Sequence, residues 1–173
     1  MTCRFTVLFA LLLMISLGIS ANAAFQDYSY TSPKVDFTVE FPSGNWKKVA
    51  EPDDVHQHTE FINGDRTEGW LRIRKEANTE GLPIKKFAED DQDQRTRFLP
   101  GFVDGKGESF NGRLDGWTLS YEFTQAGKPM VGRSYYLQAD AHTVYVLRFT
   151  GLRQKLLSIR NQTDFIARSL KLK

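Results

Sequence analysis

Cysteine is the scarcest residue of the 173-residue chain, which contains only Cys3. Cys3 precedes the apolar stretch from Phe5 to Ile19, so removal of that stretch would leave a mature protein without a thiol. A cysteine nucleophile, a disulfide framework and a thiolate metal site are then excluded. The position of Cys3 also disfavours a lipoprotein, because a lipidated cysteine would follow the apolar stretch.

Long apolar runs are scarce as well: the run at 5–19 is shorter than the ~20 residues of a transmembrane helix, so an uncleaved membrane anchor is the less favoured alternative to cleavage. The shorter run has Arg4 before it and the small residues Ser-Ala-Asn-Ala-Ala at 20–24 after it. This is the pattern of a cleaved secretory signal peptide. We expect residues 1–23 to be the signal peptide, with Ala24 as the second choice for the last residue removed. The protein is therefore expected to be periplasmic or secreted, or lumenal in a photosynthetic organism.

A strong excess of charge is missing as well, since the formal net charge is +2 and falls to +1 without Arg4. This balance gives no reason to expect nucleic-acid binding. The charges are unevenly spread, however. Residues 51–93 hold twelve acidic and six basic side chains, whereas residues 148–173 hold seven basic side chains and one acidic one. Such a distribution could steer a partner or bring the basic C-terminal helix to anionic lipids. We favour the alternative that the two regions neutralise each other.

Sequence signatures of catalysis are absent, because no G-x-S-x-G elbow, P-loop or dinucleotide fingerprint occurs. No repeat or low-complexity tract occurs either, and the roughly 150 residues after position 23 match one domain. We therefore expect a single domain over residues 24–173 that is not an enzyme, has no cofactor other than a candidate divalent metal, and is a monomer.

Alternating apolar and polar residues predict most of the chain to be β-structure. Turn residues at 42–45 suggest that the first two of these strands form a hairpin, and Asn111-Gly112 is typical of another. The predicted strands are Val35–Phe41, Trp46–Val49, Val55–Ile62, Trp70–Glu76, Trp117–Phe123, Arg133–Gln138 and His142–Thr150. Phe102–Phe110 is interrupted by glycines and only weakly extended. In Trp70–Glu76 the arginines at 72 and 74 are expected to point outward.

Two segments have helical spacing, Ile84–Leu99 and the stretch after Gly151. The first carries a run of acidic residues, each four positions from a basic residue. These i, i+4 pairs are Lys85–Glu89, Lys86–Asp90, Asp91–Arg95 and Asp93–Arg97. Pairs at this spacing are typical of a helix that faces water. The combination of six or seven mostly antiparallel strands with two helices predicts an α+β fold.

Three segments resemble a known family. Phe37-Thr38-Val39-Glu40-Phe41-Pro42, followed by Gly44-Asn45-Trp46, is similar to the opening motif of PsbP-like domains. Arg133–Leu137 with Val144–Leu147 resembles their penultimate strand pair, and Phe165–Lys171 their closing motif. The chain is identified as an exported bacterial member of the PsbP-like and Mog-type family, with the resemblance covering Phe25–Lys173.

The resemblance implies an α/β/α sandwich with a central, mostly antiparallel sheet of six to seven strands flanked by helices. It also implies a non-catalytic binding or assembly factor whose partner is a protein or small molecule of the cell envelope. The photosystem and nuclear GTPase-binding roles of the best-known members do not transfer with the fold. We expect this chain to lack their long N-terminal arm, and the predicted export signal disfavours a nuclear partner.

One short segment could instead bind a metal. If residues 55–62 form a strand, His56, His58 and Glu60 point to one face at ~6.8 Å intervals. Two imidazoles and a carboxylate could hold Zn²⁺ or a similar ion and leave a fourth position open, with Asp53 or Asp54 contributing from the preceding loop. A metal-binding protein or hydrolase is thus the alternative function. The simpler interpretation, which we favour, is a solvated strand face.

Aromatic residues are numerous, making up 13% of the chain. A stacking platform for single strands or sugars is conceivable. Because no basic, glycine-spaced framework accompanies the rings, we expect them to pack in the core instead.

Overall fold

The computed structural model describes residues 28–173, so the predicted signal peptide lies outside the described residues. Within this range the chain forms ten strands and three helices. The strands are β1 (Ser29–Thr31), β2 (Phe37–Glu40), β3 (Trp46–Ala50), β4 (His58–Asn63), β5 (Asp65–Ala77), β6 (Val103–Phe110), β7 (Gly116–Gln125), β8 (Lys128–Asp140), β9 (Thr143–Leu152) and β10 (Lys171–Leu172). The helices are α1 (Ile84–Arg95), α2 (Arg153–Ser158) and α3 (Arg160–Ser169).

Seven strands form the central sheet, in the order β3-β4-β5-β9-β8-β7-β6, and every neighbouring pair is antiparallel. The three remaining strands form a small sheet in the order β1-β2-β10. Helix α1 packs on one face of the central sheet, against β7 and β8, and α2 contacts β5, β8 and β9. The predicted α+β sandwich with a central antiparallel sheet is confirmed.

The main core lies between the central sheet and the layer formed by α2, α3 and the small sheet. It contains Phe37 and Val39 of the small sheet, Ile166 and Leu170 of the C-terminal segment, and inward residues of six central strands. Aromatic rings fill much of it, as expected: Phe61, Tyr135, Tyr145 and Phe149 are almost completely buried. A smaller core under α1 joins Ala88 to Leu119, Tyr136, Val144 and Val146.

The predicted hairpin between residues 35–41 and 46–49 is wrong. Strand β2 pairs with β1 and with β10 at the far end of the chain, whereas β3 pairs with β4 in the other sheet. The turn at 42–45 therefore carries the chain from one sheet to the other. The Asn111-Gly112 turn does connect the antiparallel pair β6 and β7, as predicted.

The helical segments begin where the sequence predicts and end earlier or with a break. Helix α1 follows Pro83 and ends at Arg95, four residues before the predicted end, and the C-terminal segment is interrupted at Ile159. Among residues 28–173, no helix is both long and apolar enough to span a membrane.

Candidate functional site

The segment proposed as a metal site does not form one continuous strand. Strand β4 begins at His58, three residues later than predicted. The reason is a local turn in which the Asp53 carboxylate accepts hydrogen bonds from the backbone N–H groups of Val55 and His56, at 2.9 and 2.6 Å. His56 therefore lies in a loop, and its ring contacts the Asp53 carboxylate at 3.2 Å.

His58 and Glu60 do share a face, and Glu60 is surrounded by cations. Its carboxylate lies 2.7 Å from His58 Nε2, 3.0 Å from Arg72 Nε and 3.7 Å from Arg66 Nη2. Burial alone would raise the pKa of Glu60, but the His58 hydrogen bond and the Arg72 charge outweigh it, so the pKa is lowered. Glu60 is thus held as a paired anion on this face.

The rings of His56 and His58 are 5.8 Å apart between centroids. Among residues 28–173, no three histidine, cysteine or acidic side chains are grouped so that they could hold a metal ion. Metal binding through His56, His58 and Glu60 therefore stays a prediction.

The residues that pair with Glu60 across neighbouring strands continue a line of polar side chains along the face of the central sheet that α1 covers. Glu60 pairs with Arg72, Arg72 with Arg148, and Arg148 with Ser134, in neighbouring strands. Because residues paired across a sheet point to the same face, these four side chains form one row. We call it the polar row. Within it, Arg148 Nε donates to Ser134 Oγ at 3.2 Å.

Asp91 of α1 lies over the polar row. Its carboxylate accepts hydrogen bonds from Arg148 Nη2 at 2.5 Å, Arg95 Nε at 2.7 Å and the Tyr136 hydroxyl at 3.0 Å, and Arg74 Nη2 is 3.6 Å away. The Asp91 side chain is only 7% exposed. All four predicted i, i+4 ion pairs form, but the conclusion that Asp91 faces water is wrong. Helix α1 turns this one acidic residue inward, against the sheet.

Two arginines on this face are largely buried, whereas Arg72 in the polar row is 45% exposed, as its strand pattern predicted. The Arg148 and Arg74 side chains are 15% and 16% exposed, because α1 covers the face predicted to be outward. Burial lowers the pKa of Arg74, and the neighbouring Arg148 charge acts in the same direction. Burial also raises the pKa of Tyr136, as does the Asp91 charge, so the Tyr136 hydroxyl stays protonated and donates.

A second row of paired residues lies beside the polar row. Trp70 pairs with Thr150, Thr150 with Gly132, and Gly132 with Tyr121. We call this the cavity row. Gly132 has no side chain, and the Tyr121 ring occupies the space above it, since a Cβ on Gly132 would be 2.0 Å from Tyr121 Cζ. Thr150 is small, so a gap remains between the Trp70 and Tyr121 rings.

This gap is a cavity of about 370 Å³. Its lining comes from the cavity row, the adjacent polar row, the β7–β8 turn and the chain that follows α1. The residues that line it are Trp70, Arg72, Arg95, Thr96, Leu99, Pro100, Tyr121, Phe123, Thr124, Gln125, Ala126, Arg148 and Thr150. Ligand sites typically have volumes of roughly 300–1,000 Å³ and combine apolar walls with a few polar groups. This cavity has both properties.

The sequence analysis missed the cavity, although two signals for it were present. A glycine inside a strand can mark close approach of another group, and Gly132 lies in the middle of β8. Arg148 also stands in a strand that is otherwise rich in apolar residues.

The basic C-terminal region is largely paired with acidic side chains. Arg153 contacts Glu122 at 2.9 Å, Lys155 contacts Glu68 at 2.8 Å, and Arg148 contacts Asp91. Two of these acidic residues, Glu68 and Asp91, belong to the acidic stretch 51–93. Two of the seven basic side chains thus pair with the acidic stretch, and mutual neutralisation of the two regions stays a prediction.

No protein-family profile and no curated protein sequence matches the chain. Solved structures do match, at low sequence identity. The Saccharomyces cerevisiae Ran-binding protein Mog1p gives a TM-score of 0.60 at 9% identity, over 84% of this chain and 95% of Mog1p. Cyanobacterial PsbP (CyanoP) from Synechocystis sp. PCC 6803 gives 0.56 at 11% identity, over 91% of this chain and 99% of CyanoP.

LpqN, involved in cell envelope biogenesis of Mycobacterium tuberculosis, gives a TM-score of 0.54 at 13% identity, over 83% of this chain and 87% of LpqN. The chain spans about half, 49%, of a longer matching protein from Bacteroides thetaiotaomicron. Identities in this range establish the fold alone. Together with the seven-stranded antiparallel sheet, these matches show that the chain has the PsbP/Mog-like fold.

Proposed function

We propose that this protein is an exported, non-catalytic binding or assembly-type domain, and that the cavity beside Thr150 is its binding site. The observation that carries the proposal is the composition of the cavity, where Arg72, Arg95 and Arg148 stand beside the rings of Trp70 and Phe123. Apolar walls with a few convergent charged groups are typical of a ligand site.

The chemistry of the nearby carboxylates supports binding rather than catalysis. A general base must be free to take a proton and is most effective with a pKa near the working pH. Glu60 instead contacts His58 and Arg72 and has a lowered pKa, and Asp91 accepts three hydrogen bonds. Both carboxylates therefore act as fixed charges that position arginines.

Similar proteins support a binding role of this general kind. Mog1p is described as a Ran-binding protein and LpqN as involved in cell envelope biogenesis. For this chain the signal-peptide pattern at 1–23 favours a partner in the envelope, either a protein or a small molecule. We expect the mature protein to act as a monomer, and contact of the basic C-terminal helix with anionic lipids remains a further proposal.

Two measurements test this function. A full-length chain with a C-terminal tag should be recovered from the envelope fraction with the intact mass of a protein that starts at Ala24 or Phe25. Full-length protein in the cytoplasm would contradict export. Captured from the envelope extract, the tagged protein should retain a ligand or partner that the Arg72→Gln variant loses. Arg153→Gln, on the opposite face, is the matched control. Recovery of the protein alone, or equal retention by Arg72→Gln, would contradict the binding site.

A metal-binding protein or hydrolase that uses His56, His58 and Glu60 is the alternative proposal. The contact between His58 and Glu60 and the adjacent His56 ring favour it. It requires His56 to leave Asp53 and Glu60 to give up part of its contact with Arg72. Elemental analysis of the purified mature protein decides it, with His56→Ala/His58→Ala as the control. Absence of stoichiometric metal from the unmutated protein removes this alternative.

A further inference from the structure

The shape of the cavity limits what it can hold. Its floor is Thr150, and the large rings of Trp70 and Tyr121 stand on either side in the same cavity row. Leu99 and Pro100, after the end of α1, close another side. At about 370 Å³ the space suits the apolar or aromatic body of a small molecule.

The charge of the lining is of one sign. Three arginines line the cavity and no acidic residue does. Arg72 donates from Nε to Glu60 at 3.0 Å, and its guanidinium carbon lies 3.9 Å from the centroid of the Trp70 ring. A guanidinium carries five N–H donors in a fixed planar arrangement, which matches carboxylate and phosphate groups. Since Arg72 uses only Nε for hydrogen bonding within residues 28–173, its terminal N–H groups can bind an anion.

Tyr121 supplies a second polar group at the cavity wall. It is 2% exposed and lines the cavity together with Arg72 and Arg148. Burial raises its pKa, and the charges that act on it belong to Arg148, Asp91 and Arg72, on the polar row and the helix above it. A tyrosine hydroxyl can donate one hydrogen bond, so Tyr121 can offer a donor to a ligand in the cavity.

We infer that the cavity binds a small organic anion, with its carboxylate, phosphate or sulfonate group on Arg72 and Arg95 and its apolar body between Trp70 and Tyr121. This inference rests on the proposed binding function and specifies the ligand class of the same site. The terminal N–H groups of Arg72 hold the anionic group, and the Tyr121 hydroxyl donates to the ligand. Arg148 stays paired with Asp91 and adds positive potential behind the site.

Two naphthylamine probes that differ in one group test the charge requirement. The first is 8-anilino-1-naphthalenesulfonate, and the second is N-phenyl-1-naphthylamine, the same skeleton without the sulfonate. Titration of the mature protein, followed by probe fluorescence, should show one saturable site that prefers the sulfonate by about tenfold or more, as expected for a hydrogen bond to a charged group. Inorganic sulfate, which lacks the apolar body, should compete only weakly.

Variants connect the binding to the cavity. Arg72→Gln should weaken sulfonate binding by about tenfold and leave the uncharged probe unchanged, whereas Arg153→Gln should change neither. Tyr121→Phe should weaken sulfonate binding by several-fold, because the ligand loses one hydrogen-bond donor. Arg95→Gln provides a second charge variant if Arg72→Gln does not fold, and near-UV circular dichroism checks each variant.

Several results would overturn this inference. Equal affinity for the two probes, or equal weakening by Arg72→Gln and Arg153→Gln, would show that the cavity does not select an anion. Failure of both probes to bind, while the envelope ligand is still captured by wild type and lost by Arg72→Gln, would remove the ligand class and leave the proposed function standing. Normal probe binding by a wild-type protein that captures no ligand from the envelope would support the ligand class and contradict the proposed function.

Discussion

Replacement of Asp91 by asparagine should destabilise the protein far more than its place in an acidic helical run suggests. Asp91 is the carboxylate that Arg148 contacts at 2.5 Å, and it also binds Arg95 and the Tyr136 hydroxyl. Asparagine keeps one acceptor oxygen but removes the negative charge between two arginines whose side chains are about 15% exposed. Removal of one partner from a buried pair costs roughly 3–5 kcal/mol, since the other charge stays buried.

We expect a loss near the lower end of that range, about 3 kcal/mol, because Arg74 and Arg95 keep contacts with Glu76. For a domain of this size the melting temperature should fall by roughly 6–12 °C. The assay is urea unfolding followed by circular dichroism and tryptophan fluorescence, which gives the free energy of unfolding. The control is Asp93→Asn, since Asp93 pairs with Arg97 on the same helix but is 53% exposed. An exposed pair contributes less than about 1 kcal/mol.

Equal destabilisation by Asp91→Asn and Asp93→Asn would refute the reasoning, because the burial of Asp91 would then make no difference to stability. The double variant Asp91→Asn/Arg148→Met adds a second check. The double variant no longer carries the unpaired Arg148 cation. Its loss of free energy of unfolding should therefore be smaller, by about 1 kcal/mol or more, than the sum of the losses in the single variants Asp91→Asn and Arg148→Met.

Three further substitutions test other parts of the structure. Gly132→Ala should cost about 1–3 kcal/mol in urea unfolding, because its Cβ would be 2.0 Å from Tyr121 Cζ and would displace the ring; wild-type stability would contradict the position of Tyr121. Ala126→Asn should stabilise the protein by about 0.5–1 kcal/mol, because Ala126 has φ of 49° in a two-residue hairpin turn where asparagine is favoured; a lower melting temperature would contradict that turn. Glu60→Gln should make the free energy of unfolding fall less steeply as the pH drops below 4.5. The folded-state pKa of Glu60 is below 4.5, so the contribution of Glu60 is present above pH 4.5 and is lost as the pH falls through the lowered value. Parallel pH profiles of wild type and Glu60→Gln would show that Glu60 does not contribute in this way.

The central sheet could be predicted from the sequence because its strands carry their own signals. Alternating residues mark β7, β8 and β9, and the turns between them are short, so antiparallel neighbours follow from chain order. One of the two partners of β2 could not be found in this way. It is β10, more than 130 residues away, and the turn at 42–45 has the same chemistry whether the chain stays in one sheet or crosses to another.

The candidate site depends on contacts that local patterns do not contain. The pairs Asp91–Arg95 and Asp93–Arg97 have the same spacing, yet the first carboxylate is buried and the second is exposed. Only the position of α1 over β8 and β9 decides which one turns inward. In the same way, Arg72 and Arg74 alternate with buried residues as a solvent face would. Arg72 is 45% exposed, as predicted, whereas Arg74 lies against Asp91 of α1 and is 16% exposed.

The most direct test of the account is a crystal structure of the mature protein grown with 8-anilino-1-naphthalenesulfonate. We expect the naphthalene rings between Trp70 and Tyr121, above Thr150, with the sulfonate in contact with the guanidinium groups of Arg72 and Arg95. A probe bound elsewhere, with this cavity empty or closed by the Trp70 ring, would contradict the claim that the domain binds an anionic ligand there.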